Sequence, residues 1–114
     1  MVKVWRQGDI VIREIDEEEY ERLKRWRLSK AETKDIVIKS ETGNPHILHT
    51  SIAQEVLVRA NDGVFEEGAV ASEQPILVEH PQHGSFTLPS GKYLIYTVRE
   101  ANIGLFGNGA RVLD

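Results

Sequence analysis

The chain has four histidines, in two pairs with the same H-x-x-H spacing: His46 and His49 in PHILH, and His80 and His83 in VEHPQHG. Imidazole binds transition metals when neutral and moves protons near neutral pH, so such pairs raise either a metal site or acid–base chemistry. Backbone geometry separates the two pairs. In an extended HILH, side chains alternate, so His46 aligns with Asn44 and Leu48 while His49 faces elsewhere. Pro45 and the β-branched neighbours oppose a helix there. In VEHPQHG, Pro81 biases His80 toward extended backbone and Gly84 permits a bend. That predicts His80 at a strand end and His83 on a loop, both partly exposed and facing the same side. If His46 reaches that end, three rings converge. Three imidazoles with an open position suit Zn or another divalent metal, with Asn44 or Glu79 in support. Two other readings stay open: a polar end hydrogen-bonded to loop backbone, which needs the least coincidence, and metal-free acid–base chemistry.

No other reactive set is legible. There are no cysteines, which removes disulfides and thiolate chemistry. Ser51, Ser72, Ser85 and Ser90 lie outside any G-x-S-x-G elbow, and no G-x-x-x-x-G-K phosphate loop occurs. The acidic run DEEE (16–19) is accounted for by helix capping. RLKRWR (22–27) could bind a nucleic-acid backbone and stack a base. The simpler expectation is that Trp26 packs on the sheet and the arginines pair with glutamates, so nucleic acid is not expected as a partner. No complete catalytic constellation can be written, and whether the chain is an enzyme is left undecided. No cofactor is expected unless His46, His80 and His83 hold a divalent metal such as Zn.

The elements that would position these residues follow from periodicity. GDIVIREI (8–15) alternates as a strand with one buried face. Asp16 followed by Glu19 forms a capping box, with Ile15 and Tyr20 as a staple, which predicts a helix over 17–29. Its acidic start and basic end suit the helix dipole; Glu18–Arg22 and Glu21–Arg25 have i,i+4 spacing, and Tyr20, Leu23 and Trp26 form an inward stripe. From residue 33 the period becomes two. KDIVIKS (34–40), HILHTS (46–51), QEVLVRA (54–60), PILVEH (75–80), SFTL (85–88) and KYLIYTVRE (92–100) read as strands. ETGNP (41–45), NDG (61–63), LPSG (88–91) and GNG (107–109) read as turns, and EEGAVASEQ (66–74) as a loop or an edge segment. The fold class is therefore mainly β, an antiparallel β-sandwich or barrel with one amphipathic helix near the N-terminus packed over a face or an end.

A length of 114 residues suits one globular domain over 1–114, and 40% hydrophobic with 28% charged residues is a folded, soluble composition. The net charge of −4 rules out a polyanion binder as a whole. No signal peptide or membrane-length apolar run occurs, so a cytoplasmic protein is expected.

Several stretches resemble a group of small bacterial and phage-encoded proteins of unknown function. WRQGDIVI (5–12) is similar to their R-Q-G-D opening, SETGNPHIL (40–48) to their central histidine element, and EHPQHGSFTLPSGKYLIYTVRE (79–100) to their H-x-x-H-G…L-P-x-G-x-Y close. The resemblance implies no activity, but His46, His80, His83, Gly84, Pro89, Gly91 and Tyr93 match its pattern. The family's first central histidine falls on Asn44 here, a poor metal ligand. The expected function is a small accessory protein, a binding or self-associating structural module whose partner is another protein or its own copy, with no membrane. The alternative is a metal-binding protein or small metalloenzyme using the histidine cluster.

Overall fold

The computed structural model describes residues 2–40 and 43–98. Ten strands, one α-helix and one short 3-10 turn follow in the order β1 (Val4–Gln7), β2 (Ile10–Glu14), α1 (Glu17–Trp26), β3 (Ser29–Ala31), β4 (Ile36–Ile38), β5 (His46–Leu48), the 3-10 turn (Thr50–Ile52), β6 (Glu55–Asn61), β7 (Val64–Ser72), β8 (Ile76–Glu79), β9 (Phe86–Leu88) and β10 (Gly91–Thr97). They form a six-stranded sheet ordered β1-β2-β10-β7-β6-β3 and a four-stranded sheet ordered β4-β5-β8-β9. The described pairings are antiparallel. Neither sheet closes into a barrel.

One core is shared by both sheets. Ile10, Ile12, Val70 and Ile95 from the larger sheet meet Ile38, Leu48, Ile76, Val78 and Leu88 from the smaller one. That contact makes the fold a sandwich, because each sheet buries the apolar face its alternation provides. A second core lies on the far side of the larger sheet, where Ile15, Tyr20 and Leu28 pack on Leu57, Ala69 and Leu94. The helix therefore forms a third layer over the outer face of the six-stranded sheet. Asp16 Oδ1 accepts the Glu19 backbone N–H at 2.8 Å, which is one half of the capping box, while the Glu19 carboxylate pairs with Arg13. Tyr20 donates its hydroxyl to Glu55 at 2.7 Å and ties the first turn to β6.

The helix ends at Trp26, a turn earlier than the 17–29 read from its sequence. Leu28 is buried in the second core, and Ser29–Ala31 leave the helix to pair with β6 as an edge strand. Sheet pairing and burial outweigh three more helical residues. The inward stripe also stops short: Tyr20 is buried, but Trp26 is 78% exposed. Each three-residue step falls about 60° short of a full turn, so two steps carry Trp26 out of the face that Tyr20 occupies.

Three other expectations shift. EEGAVASEQ lies largely within β7, a central strand between β10 and β6. Its small residues fit that place: a Cβ at Gly68 would lie 2.9 Å from the Leu57 carbonyl oxygen and 3.0 Å from the Phe65 ring. Val4–Gln7, not read as a strand, pairs along β2. HILHTS is extended only through Leu48 and then coils into the 3-10 turn, where Thr50 donates to the Lys34 carbonyl at 2.7 Å and accepts from Ile36 N–H at 3.1 Å. The turn read at GNG lies outside the described residues. NDG closes the β6–β7 hairpin with positive φ at Asp62 and Gly63, the conformation that its residue types favour.

Gly91 opens β10 with φ 155°, and a Cβ there would lie 3.3 Å from the Tyr93 hydroxyl, which donates to the Pro89 carbonyl at 2.5 Å. Gly91→Val therefore strains the backbone and crowds that bond, with an expected loss of about 1–3 kcal/mol. Ser90→Val at the exposed neighbouring position should change stability by less than about 0.5 kcal/mol. Urea denaturation of the two variants checks this; equal midpoints would overturn the turn assignment.

Candidate functional site

His46, His80 and His83 come together at one end of the sandwich. Ring centroids are 4.5 Å apart for His46–His80, 4.5 Å for His80–His83 and 6.4 Å for His46–His83. His46 enters from β5, whose alternation buries it beside Leu48 and turns Ile47 outward. His80 follows β8, and His83 sits on the loop after Pro81, where the Gly84 N–H donates to the His80 carbonyl at 3.1 Å. His49 faces away, as the alternation predicts, and bonds Glu79 and Asp35 instead. Glu79 is thereby committed to His49. His83 is exposed as expected, but His80 is only 2% exposed, because its ring lies against the Ser40 hydroxyl and the Asn44 backbone.

The ring nitrogens of the two buried histidines are taken up by the fold. His80 Nε2 donates to the Asn44 carbonyl at 3.0 Å, so the backbone of Asn44 and not its side chain serves here. His80 Nδ1 accepts from the backbone N–H groups of Gln82 and His83 at 3.1 and 3.2 Å, which fixes the loop and the tautomer. His46 Nδ1 lies 2.8 Å from Gln7 Oε1, and its Nε2 lies 2.7 Å from Asp9 Oδ1. The Gln7 amide nitrogen donates to the carbonyls of Gly84 at 2.5 Å and Val78 at 3.3 Å. Its oxygen is therefore the end that faces His46, and His46 Nδ1 must carry the proton. Nε2 then points its lone pair at Asp9, and a second proton on the ring would complete an N–H···O bond.

Gln7, Gly8 and Asp9 were not singled out from the sequence, yet they hold the centre of the cluster. Gln7 ends β1, and Gly8 and Asp9 form the two-residue turn to β2. Gly8 has φ 60°, and a Cβ there would lie 2.7 Å from His83 Cδ2 and Nε2, so the turn backbone lies flat against the ring. A polar Gln and Asp on either side of a turn glycine ahead of an apolar strand was the available signal.

Burial pushes the His46 pKa below its ordinary value of 6.5, Asp9 pushes it back up, and the nearby His80 and His83 lower it further. Among the described residues no group of three His, Asp or Glu side chains is arranged to hold a metal ion. Both His80 nitrogens and His46 Nδ1 are committed to hydrogen bonds within the fold, and the metal reading finds no support in the donor set. A separate cleft of about 670 Å³ lies beside the helix, lined in part by Phe65 and Tyr96. Its arginines are matched by glutamates, Arg13 with Glu19, Arg27 with Glu67 and Arg59 with Glu66, so it offers no net charge to draw an ion.

Two outcomes are expected. Gln7→Leu would strand His46 Nδ1–H and two backbone carbonyls and should cost about 2 kcal/mol or more, since each buried group left unpaired costs about 1–3 kcal/mol. A midpoint within error of wild type in denaturant would show that the amide is not the tie described. The depressed folded-state pKa of His46 means stability is fully present above 6.5 and is lost as pH falls through 6.5 toward that lower value. In an NMR titration the His46 ring should titrate below 6.5, and lower still in Asp9→Asn, which removes the neighbour that raises it. A midpoint above 6.5 would reverse the sign.

No curated protein and no solved structure matches the chain. One family does, described as Domain of unknown function (DUF8820), over residues 6–98, which takes in the Gln7–Asp9 turn and all three clustered histidines. The chain belongs to this family of unknown function.

Proposed function

We propose that the protein is a small, non-catalytic, self-associating module that works through the outer face of its helix. One observation carries this reading: Trp26, a large aromatic, is 78% exposed on the last helical turn. Tryptophan and arginine are the residue types most often found at the energetic centres of protein interfaces. Arg22 and Arg25 lie one turn or less from the indole, and neither side chain forms an ion pair or hydrogen bond among the described residues. The histidine cluster supports the reading from the other side, because both His80 nitrogens are committed to loop backbone and His46 is held between Gln7 and Asp9. The resemblance to small bacterial and phage-encoded proteins and the lack of cysteines fit an accessory role in the cytoplasm.

Sedimentation equilibrium over a wide concentration range tests the reading. The weight-average mass should rise with concentration above the 12.9 kDa of one chain, and Trp26→Ala should lower that rise. A wild-type protein that stays at one chain mass up to millimolar concentration would end it.

A further inference from the structure

The outer face of α1 is complementary to itself, and we infer that its occupant is a second copy of the same face, docked antiparallel about a two-fold axis. This inference rests on the self-association proposed above and adds its register. Glu18, Glu21, Arg22 and Arg25 follow i, i+3, i+4, i+7 spacing, which places them along one stripe of the helix. The stripe lies opposite the face that buries Tyr20, and with Trp26 it lines a shallow groove of about 210 Å³. The first two members are acidic and the last two basic.

None of the four side chains has an ion-pair or hydrogen-bond partner among the described residues. The i,i+4 pairs that their spacing suggested, Glu18–Arg22 and Glu21–Arg25, do not form. Their neighbours, by contrast, are engaged within the fold: Glu17 with Lys92, Glu19 with Arg13, Lys24 with Glu55 and Arg27 with Glu67. The helix thus satisfies its inward and flanking charges and leaves one outward stripe unsatisfied.

Antiparallel placement with the axis between Glu21 and Arg22 sets Glu18 against Arg25 of the other copy and Glu21 against Arg22, each twice by symmetry. Parallel placement would set like charges together. The same operation lays each Trp26 over the first helical turn of the other copy, where the indole is covered by the aliphatic stems of glutamate side chains. A nucleic-acid strand is a poorer occupant, because the acidic half of the stripe would face its phosphates. A helix of ten residues is short, about 15 Å, so the contact is small and its affinity modest and salt-sensitive.

The test uses two charge-reversed full-length chains, Arg22→Glu/Arg25→Glu and Glu18→Arg/Glu21→Arg, each checked by circular dichroism for wild-type folding. Each presents four like charges, so each alone should dissociate at least about tenfold more readily than wild type. Mixed in equal amounts, they regain four opposite-charge pairs and should associate as heterodimers at about wild-type strength. The mixing arm keeps the inference testable even if one reversal weakens the helix slightly. Wild-type association that neither reversal weakens, or reversed chains that fail to recombine, would overturn the register while leaving self-association standing. A monomeric wild type would overturn both, and quenching of Trp26 in that monomer by a single-stranded oligodeoxythymidine would give the face to nucleic acid.

Discussion

A single amide side chain ties the two sheets together by hydrogen bonds. Gln7 belongs to the edge of the larger sheet, yet its nitrogen donates to the Val78 and Gly84 carbonyls and its oxygen faces His46, all on or beside the smaller sheet. The amide is 2% exposed and its partners His46 and Val78 are fully buried, so neither of those two has water to fall back on. Apolar contact in the shared core is non-directional and would tolerate some slip of one sheet over the other. The Gln7 bonds are directional and set where the sheets stop. The His80 loop, the Gly8 turn and the stacked His83 ring all take their positions from that anchor.

Seen in this light, the histidines divide into roles that their spacing does not reveal. His46 is a buried bridge between Gln7 and Asp9. His80 is a loop brace, with one nitrogen accepting two backbone donors and the other donating to a carbonyl. His83 is an exposed ring laid on a glycine. A buried polar network of this kind adds little net stability when satisfied and costs heavily when broken, so it specifies one arrangement of the loops more than it stabilises the fold.

What the sequence made legible follows the range of the interactions involved. The Asp16 N-cap, the NDG hairpin, the bend after Pro81 and the alternation that separates His46 from His49 are local, and residue types within a few positions settle them. The convergence of His46, His80 and His83 was legible too, because strand ends and loops restrict where side chains reach. Less legible were features set from a distance. The helix stops at Trp26 because Leu28 and β3 are claimed by the sheet beneath. Gly68, Ala69 and Ala71 look like loop residues in isolation but fit a crowded central strand. The role of Gln7 depends on His46, 39 positions away, and nothing within the R-Q-G-D stretch announces that partner.

The same contrast between local and distant forces bears on the proposed association through the helix. A solvated helix with an acidic start and a basic end needs no partner, since its own dipole favours that order. Such a helix would ordinarily close its i,i+4 pairs and keep polar residues outward. Here the pairs at the right spacing stay open while an indole occupies the outward flank. Exposing a tryptophan disfavours the isolated chain and favours any contact that covers it, which the proposed self-association would supply. The charge order that suits one helix dipole is also the order that an antiparallel copy would complement, so a single short pattern is compatible with both folding and the proposed association.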